Sequence, residues 1–398
     1  MGQEQQLRRM ATSRKSTKSP PIFSQEFIVQ NHADIMSCVA MLFVAGLMFQ
    51  VTSPLASMFV ILQNNVSSPL AAEKLGQQQP QDVPWLYSPS FRDLATVFFY
   101  TIICIIAHAV IQEYGVDKLQ RKVHLSKTKT AKFNESGQLV VFALVSAIFA
   151  GYVISQEEYL TNIPLLWQDY PSAHRAMPFL IKFFFIFQIA YWLHTFPEFY
   201  FQKSKKEEIR SRTITAILYL LFIGGAYILN FTRVALCILA LHYGADFVFH
   251  ICRLAHFAEK KAIATPGFKL WNVLFVFVRL GCACLAVLTF WYGLRTSEVP
   301  SVDLINGNFN TTFIRLNCLL TICGLQAWLM WNFINFHLRR VRERSAQQKP
   351  RPSNQNRTAM NKRKAKKLEH EVRNLPEADQ ETTRALHSTR SSTDKKRD

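Results

Sequence analysis

The sequence predicts an all-α, polytopic membrane protein with eight transmembrane helices, and three observations carry that prediction. Apolar runs near 20 residues recur along the 398-residue chain, each enough to cross a hydrocarbon core of ~30 Å. Hydrophobic residues make up 49% of the chain and 32 residues are Phe. The net charge of +19 is kept apart from those runs, as expected of loops that face water on one side of a bilayer. The spans are placed at 33–53, 94–114, 138–155, 178–199, 213–229, 234–251, 270–294 and 313–336.

The basic residues orient these spans. Segments 1–32, 115–136, 202–212, 252–269 and 337–398 hold 38 of the 46 Lys and Arg residues. The opposite loops hold Lys74, Arg92, Arg175, Arg233 and Arg295, while Lys182, Arg279 and Arg315 fall inside spans. Positive residues stay cytosolic, so both termini are expected in the cytosol.

Residues 1–32 are polar, basic and without a signal-peptide core. The first span could run past Pro54 to Leu62 as a kinked helix. Loop 63–92 faces the lumen or exterior and contains the sequon Asn65-Val66-Ser67, the expected glycosylation site. Further sequons begin at Asn134, Asn230, Asn310 and Asn356; each is on the cytosolic side, in a tight turn or beside a span. The basic segment 115–136 reads as topological charge attracted to anionic headgroups. Ribosome contact is its sharper alternative, although no aromatic interleaving supports nucleic-acid binding. The eight cysteines all lie in or beside spans, which argues against a disulfide framework and for small apolar fillers. Residues 342–398 carry no aromatic residue and are expected to be a disordered basic tail.

Two spans carry polar groups that lipid would not tolerate. On the fourth, Tyr191, His194 and Glu198 share one helical face, with Pro197 between the last two. On the sixth, His242, Asp246 and His250 recur every four residues, and His242 can bond Asp246 directly. A carboxylate at mid-bilayer costs ~2.5–3.5 kcal/mol on insertion scales, so these six residues are expected to line a polar cavity between the two spans. The plain alternative is interhelical hydrogen bonding. Metal is not expected, since His242, Asp246 and His250 spread over about 12 Å of helix and converge poorly. No motif calls for a cofactor.

Several stretches resemble the TRAM family, the translocating chain-associated membrane proteins of the endoplasmic reticulum. They are QNHADIMSCVAM (30–41), RDLATVFFY (92–100), HAVIQEY (108–114), KFNESGQL (132–139), AYWLHTFPEFYFQK (190–203), GNFN (307–310) and MWNFINFHLRR (330–340). The resemblance covers roughly residues 16–340. Beside the cytosolic segment 1–32 and the two N-terminal spans within 33–114 read from charge and hydropathy, it implies a TLC domain of six spans over 131–341. It implies an endoplasmic reticulum location beside the Sec translocon, contact with nascent secretory and membrane chains, lipid neighbours and a glycan at Asn65. TLC domains also occur in ceramide synthases, which carry an adjacent His–His pair and a His-Asp-x-x-Asp motif. Here the motif reads His242-Tyr243-Gly244-Ala245-Asp246 and no two histidines are adjacent, so no enzyme activity is expected. A lipid-handling protein is the alternative reading.

Overall fold

A computed structural model describes residues 24–67, 85–123, 125, 127–202 and 206–348. The tail beyond Gln348, with its Asn356 sequon, and the first 23 residues lie outside the described residues.

Twelve α-helices follow one another among the described residues. They are α1 (Gln25–Gln30), α2 (His32–Gly46), α3 (Ser53–Val60), α4 (Asp93–Val110), α5 (Asp117–Arg121) and α6 (Lys127–Gln156), then α7 (Ser172–Arg175), α8 (Phe179–Phe201), α9 (Lys206–Ile228), α10 (Thr232–Phe257), α11 (Lys261–Ala286) and α12 (Thr312–Gln348). Wide π-type turns, Ile111–Val116 and Val287–Gly293, extend α4 and α11. Two two-residue strands, β1 (Leu86–Tyr87) and β2 (Met177–Pro178), pair antiparallel. Among the described residues seven helices are long and apolar enough to cross a bilayer: those built on α4, α6, α8, α9, α10, α11 and α12.

The first expected span differs. α2 has 15 residues, about 22 Å of helix, and the chain then reverses instead of continuing through Pro54. Phe43 meets Phe59 at 4.7 Å between ring centroids, and a β-carbon at Gly46 would sit 3.1 Å from that of Ala56. These two contacts make α2 and α3 an antiparallel hairpin. The cause is local: Thr52 Oγ1 donates to the Gly46 carbonyl at 2.7 Å, Pro54 opens α3, and glycine lets the two helices touch.

After α3 the chain is extended, so its carbonyls need donors from elsewhere. Side chains supply them. Gln63 reaches the Ser57 and Ile61 carbonyls at 2.9 and 2.6 Å, and Thr96 reaches those of Met58 and Ile61. Lys182 reaches the Gln63 and Ser88 carbonyls at 2.7 and 2.9 Å. Its Nζ also lies 2.7 Å from Asp93, which accepts from the Tyr227 hydroxyl at 2.8 Å. The in-span lysine therefore ties α8, α4 and α9 to the Asn65 loop.

One end of the bundle is capped by the segments between α6 and α8 and between α11 and α12. Tyr170 donates to the Leu229 carbonyl at 3.0 Å and accepts from the Phe309 amide at 3.1 Å. Arg233 donates to the carbonyls of Leu165 and Ala173, and Asn230 donates to that of Gly307 at 2.9 Å. Gly307 has φ +68°, a conformation that glycine adopts without strain. At the opposite end His32 stacks on Phe201 at 4.4 Å, and Glu135 of α6 pairs with Arg212 of α9 and Arg253 of α10 at 3.1 and 3.4 Å. Both ends of the described chain lie on this second, basic face. The main core between the two ends is built on Phe184, Phe185, Ile186, Leu236 and Tyr243.

Candidate functional site

The structure divides the six expected cavity residues among three places. The first holds His194 and Glu198, both buried, on α8. The His194 Nδ1–H donates to the Tyr191 carbonyl, which leaves its Nε2 to accept from His108 Nδ1 at 3.3 Å. His108 Nε2 in turn accepts from the Gln202 amide at 2.9 Å, and Gln202 also donates to Glu198 Oε1 at 3.0 Å. The π-turn of α4 sets Gln112 beside Gln138, 3.1 Å apart, and Gln138 donates to the His108 carbonyl. Glu198 Oε2 is enclosed without a hydrogen-bond partner among the described residues. The Tyr191 ring itself stacks on Phe142.

The second place is on α10. His242 and Asp246 lie ten and fourteen residues in from Thr232, about 15 and 21 Å along the axis and so deep in a ~30 Å core. Arg279 of α11 donates to His242 Nδ1 at 2.8 Å and to Gln326 of α12 at 3.1 Å. A guanidinium has no acceptor, so Nδ1 carries the lone pair and Nε2 the proton. That N–H points at Asp246 Oδ2, 3.2 Å away, and at the Tyr219 hydroxyl. Tyr219 donates to the same carboxylate at 3.3 Å. The side chains of His242 and Asp246 keep 24% and 31% of their surface accessible, so this pair is partly open to the outside of the bundle while Arg279 is buried.

Between the two places stands an aromatic partition. Trp192 stacks on Tyr219 at 3.8 Å and donates to the Tyr243 hydroxyl at 3.3 Å. Tyr243 is 1% exposed and donates to Gln188 at 2.7 Å, which donates to Ser146. Tyr191, His194 and Glu198 thus sit on one side and His242 and Asp246 on the other. The third place holds His250, buried beside Phe249 and within electrostatic reach of Glu135.

Sequence reasoning missed His108, Tyr219, Gln138 and Gln188, and gave Arg279 no role. Arg279 had a usable signal, because a cation inside a span needs a partner. Each of the three in-span cations has one: Lys182 pairs with Asp93, Arg315 with Glu298 at 2.7 Å, and Arg279 with His242 and Gln326. The other four are unremarkable in a helical pattern.

Among the described residues no group of three or more His, Cys, Asp or Glu side chains is arranged to hold a metal ion. The capping segments provide the remaining titratable group of note. His174, 2% exposed, bonds the Gln168 carbonyl at 3.1 Å, and burial next to Arg233 holds its imidazole down to about 3.

Comparison with known proteins places these features in a family context. Residues 132–335 match the TLC domain. The chain is 48% identical over 330 residues to human translocating chain-associated membrane protein 2, covering 83% of this chain and 86% of the relative. The mouse protein of that name is 47% identical over the same shares. A more distant similarity, 20% over 250 residues, covers 62% of this chain and 64% of sphingosine N-acyltransferase lac1 of Schizosaccharomyces pombe. The matched region contains α8 and α10, while His108 and Gln112 of the first place lie on the N-terminal side of it.

Proposed function

From the premise that this chain belongs to the translocating chain-associated membrane protein family and carries a TLC domain, we propose that it is a multi-pass endoplasmic reticulum membrane protein that assists translocation of secretory chains and insertion of membrane proteins. The relationship to the human and mouse proteins over five-sixths of the chain is the observation that carries this reading. The Sec translocon and nascent chains are the partners, with membrane lipids around the bundle and the basic face toward the ribosome. Both termini lie in the cytosol, in line with the 38 basic residues assigned there and with the shared face of both described ends.

The two polar places serve that role in different ways. The His242–Asp246 pair is partly open and lies at mid-depth, and we propose that it floors a crevice that shelters the polar flank of a signal or membrane segment on its way to lipid. The Glu198 group is enclosed and chiefly fixes how α4 and α8 pack. Depleting the protein from microsomes and restoring it tests the proposal. Translocation of weakly hydrophobic signal sequences should fall and recover; unchanged translocation in depleted membranes would contradict it.

The distant likeness to an acyltransferase favours a second reading, lipid handling. We infer that this chain nonetheless does not catalyse acyl transfer. A general base needs a free imidazole lone pair within reach of substrate, and the His242 lone pair is taken by Arg279. Tyr243 stands where the related enzymes carry the first Asp of their motif and is consumed by core hydrogen bonds. Purified protein supplied with sphingoid base and acyl-CoA should give no product above a mock preparation; turnover lost in His242→Ala would favour the lipid reading.

A further inference from the structure

A groove on the outer surface between α11 and α12 is separate from all three polar places. It holds about 470 Å³ and is lined by Asn272, Val273, Val276 and Phe277 of α11 and by Phe333 and His337 of α12. That volume falls in the range of small-molecule sites. Its chemistry is graded along the helix axes. Phe277 and Val273, 69% and 56% exposed, form the apolar end toward mid-bilayer. Asn272 and His337 form the polar end, toward the basic face. His337 Nε2 is enclosed there with no hydrogen-bond partner among the described residues, while the ring packs against Phe333 at 4.4 Å.

The helix periodicity continues the gradient beyond the groove. Lys269 lies one turn from Asn272 and Val273, and Arg340 and Arg344 follow His337 on the same stripe of α12. Lys269 and Arg344 are exposed, and Glu343 is the acidic neighbour, leaving an excess of positive charge. From Phe277 to Lys269 is eight residues, about 12 Å of helix, close to the depth of one leaflet's hydrocarbon.

We propose that this groove binds one anionic phospholipid, with an acyl chain along Val273, Val276 and Phe277. Its glycerol-level oxygens meet Asn272 at the polar end, and its phosphate lies near Lys269, Arg340 and Arg344. A zwitterionic lipid would fill the apolar end equally well but would bring no net charge to the exposed Lys269 and Arg344. The site rests on groove shape and charge together and is independent of the translocation role.

Full-length protein in phosphatidylcholine nanodiscs containing a minor share of phosphatidylserine can be extracted gently and its retained lipids counted by mass. One phosphatidylserine per protein should remain, enriched about tenfold over its share given several basic residues at the headgroup level. Lys269→Gln and Arg340→Gln should each reduce the enrichment roughly fivefold. Arg342→Gln, exposed but off the stripe, should leave it unchanged. Val276→Trp, or Val273→Trp should the first variant fold poorly, fills the groove without altering charge and should release the lipid. Equal retention of phosphatidylcholine would overturn the proposal. So would enrichment that survives a filled groove, which marks adsorption to the basic helix end, or displacement by millimolar inorganic phosphate, which marks a bare phosphate site.

Discussion

Lys182 and Asp93 face each other at 2.7 Å with side chains 0% and 5% accessible. Removing one partner of such a buried pair strands the other charge, at a cost of about 3–5 kcal/mol. Lys182→Met should therefore lower unfolding stability in detergent by that order. Lys182→Met with Asp93→Leu should recover much of it, because no charge remains buried. Equal instability of the single and double variants would show that the carbonyl bonds of Lys182, not the ion pair, matter.

The sequons separate by the use of their amide nitrogens. Asn230 donates to Gly307 at 2.9 Å and Asn310 to Leu294 at 2.5 Å, both deeply buried. Asn65 is half-buried, its side-chain oxygen accepting from Ser67 while its amide nitrogen makes no hydrogen bond among the described residues. Asn65→Gln should run faster on a gel by the shift that endoglycosidase produces in the wild type. Asn230→Gln and Asn310→Gln should keep the wild-type glycan shift. In the same sealed microsomes, tags at both termini should be digested by added protease.

His174 gives a pH signature outside the membrane. Its folded value, about 3, is below the ordinary value near 6.5, so the unfolded chain binds the proton first. Its contribution is level above about pH 7 and is lost as pH falls from 6.5 toward 3, at about 1.4 kcal/mol per pH unit. His174→Gln should flatten stability against pH in that window relative to the wild type. Parallel curves for the two proteins would rule out the assignment.

Asp246→Asn and Glu198→Gln should behave differently. The enclosed Glu198 group is part of the packing, so Glu198→Gln should alter thermal stability by about 1–3 kcal/mol through its hydrogen bonds. Asp246 is partly open, so Asp246→Asn should fold at a normal level and weaken contact with weakly hydrophobic signal sequences. Reversal of that pattern would move the working surface to the other side of Trp192.

Much of the helical framework was legible because a 20-residue apolar run has few alternatives to a spanning helix. The first span was not, because Gly46 and Pro54 permit a kink or a full reversal, and the contact of Phe43 with Phe59 decides between them. The polar residues of α8 and α10 were visible as charges in apolar runs. Their separation was hidden, since it depends on Trp192, Tyr219 and Tyr243, which look like ordinary core in a sequence. The Arg279–His242 bond was equally hidden, as it joins residues 37 positions apart.

The claim that the α10 crevice meets nascent chains can be tested at the residue itself. A photoreactive amino acid is placed at Asp246, and in a second variant at Phe313, which is 77% exposed at the start of α12. Ribosome-stalled chains with a weakly hydrophobic signal sequence are then irradiated in microsomes. Adducts to the signal sequence should form from position 246 well above those from position 313, and Tyr219→Trp, which narrows the crevice, should reduce them. Equal yields from both positions, or adducts to lipid alone from 246, would contradict a nascent-chain contact at this crevice.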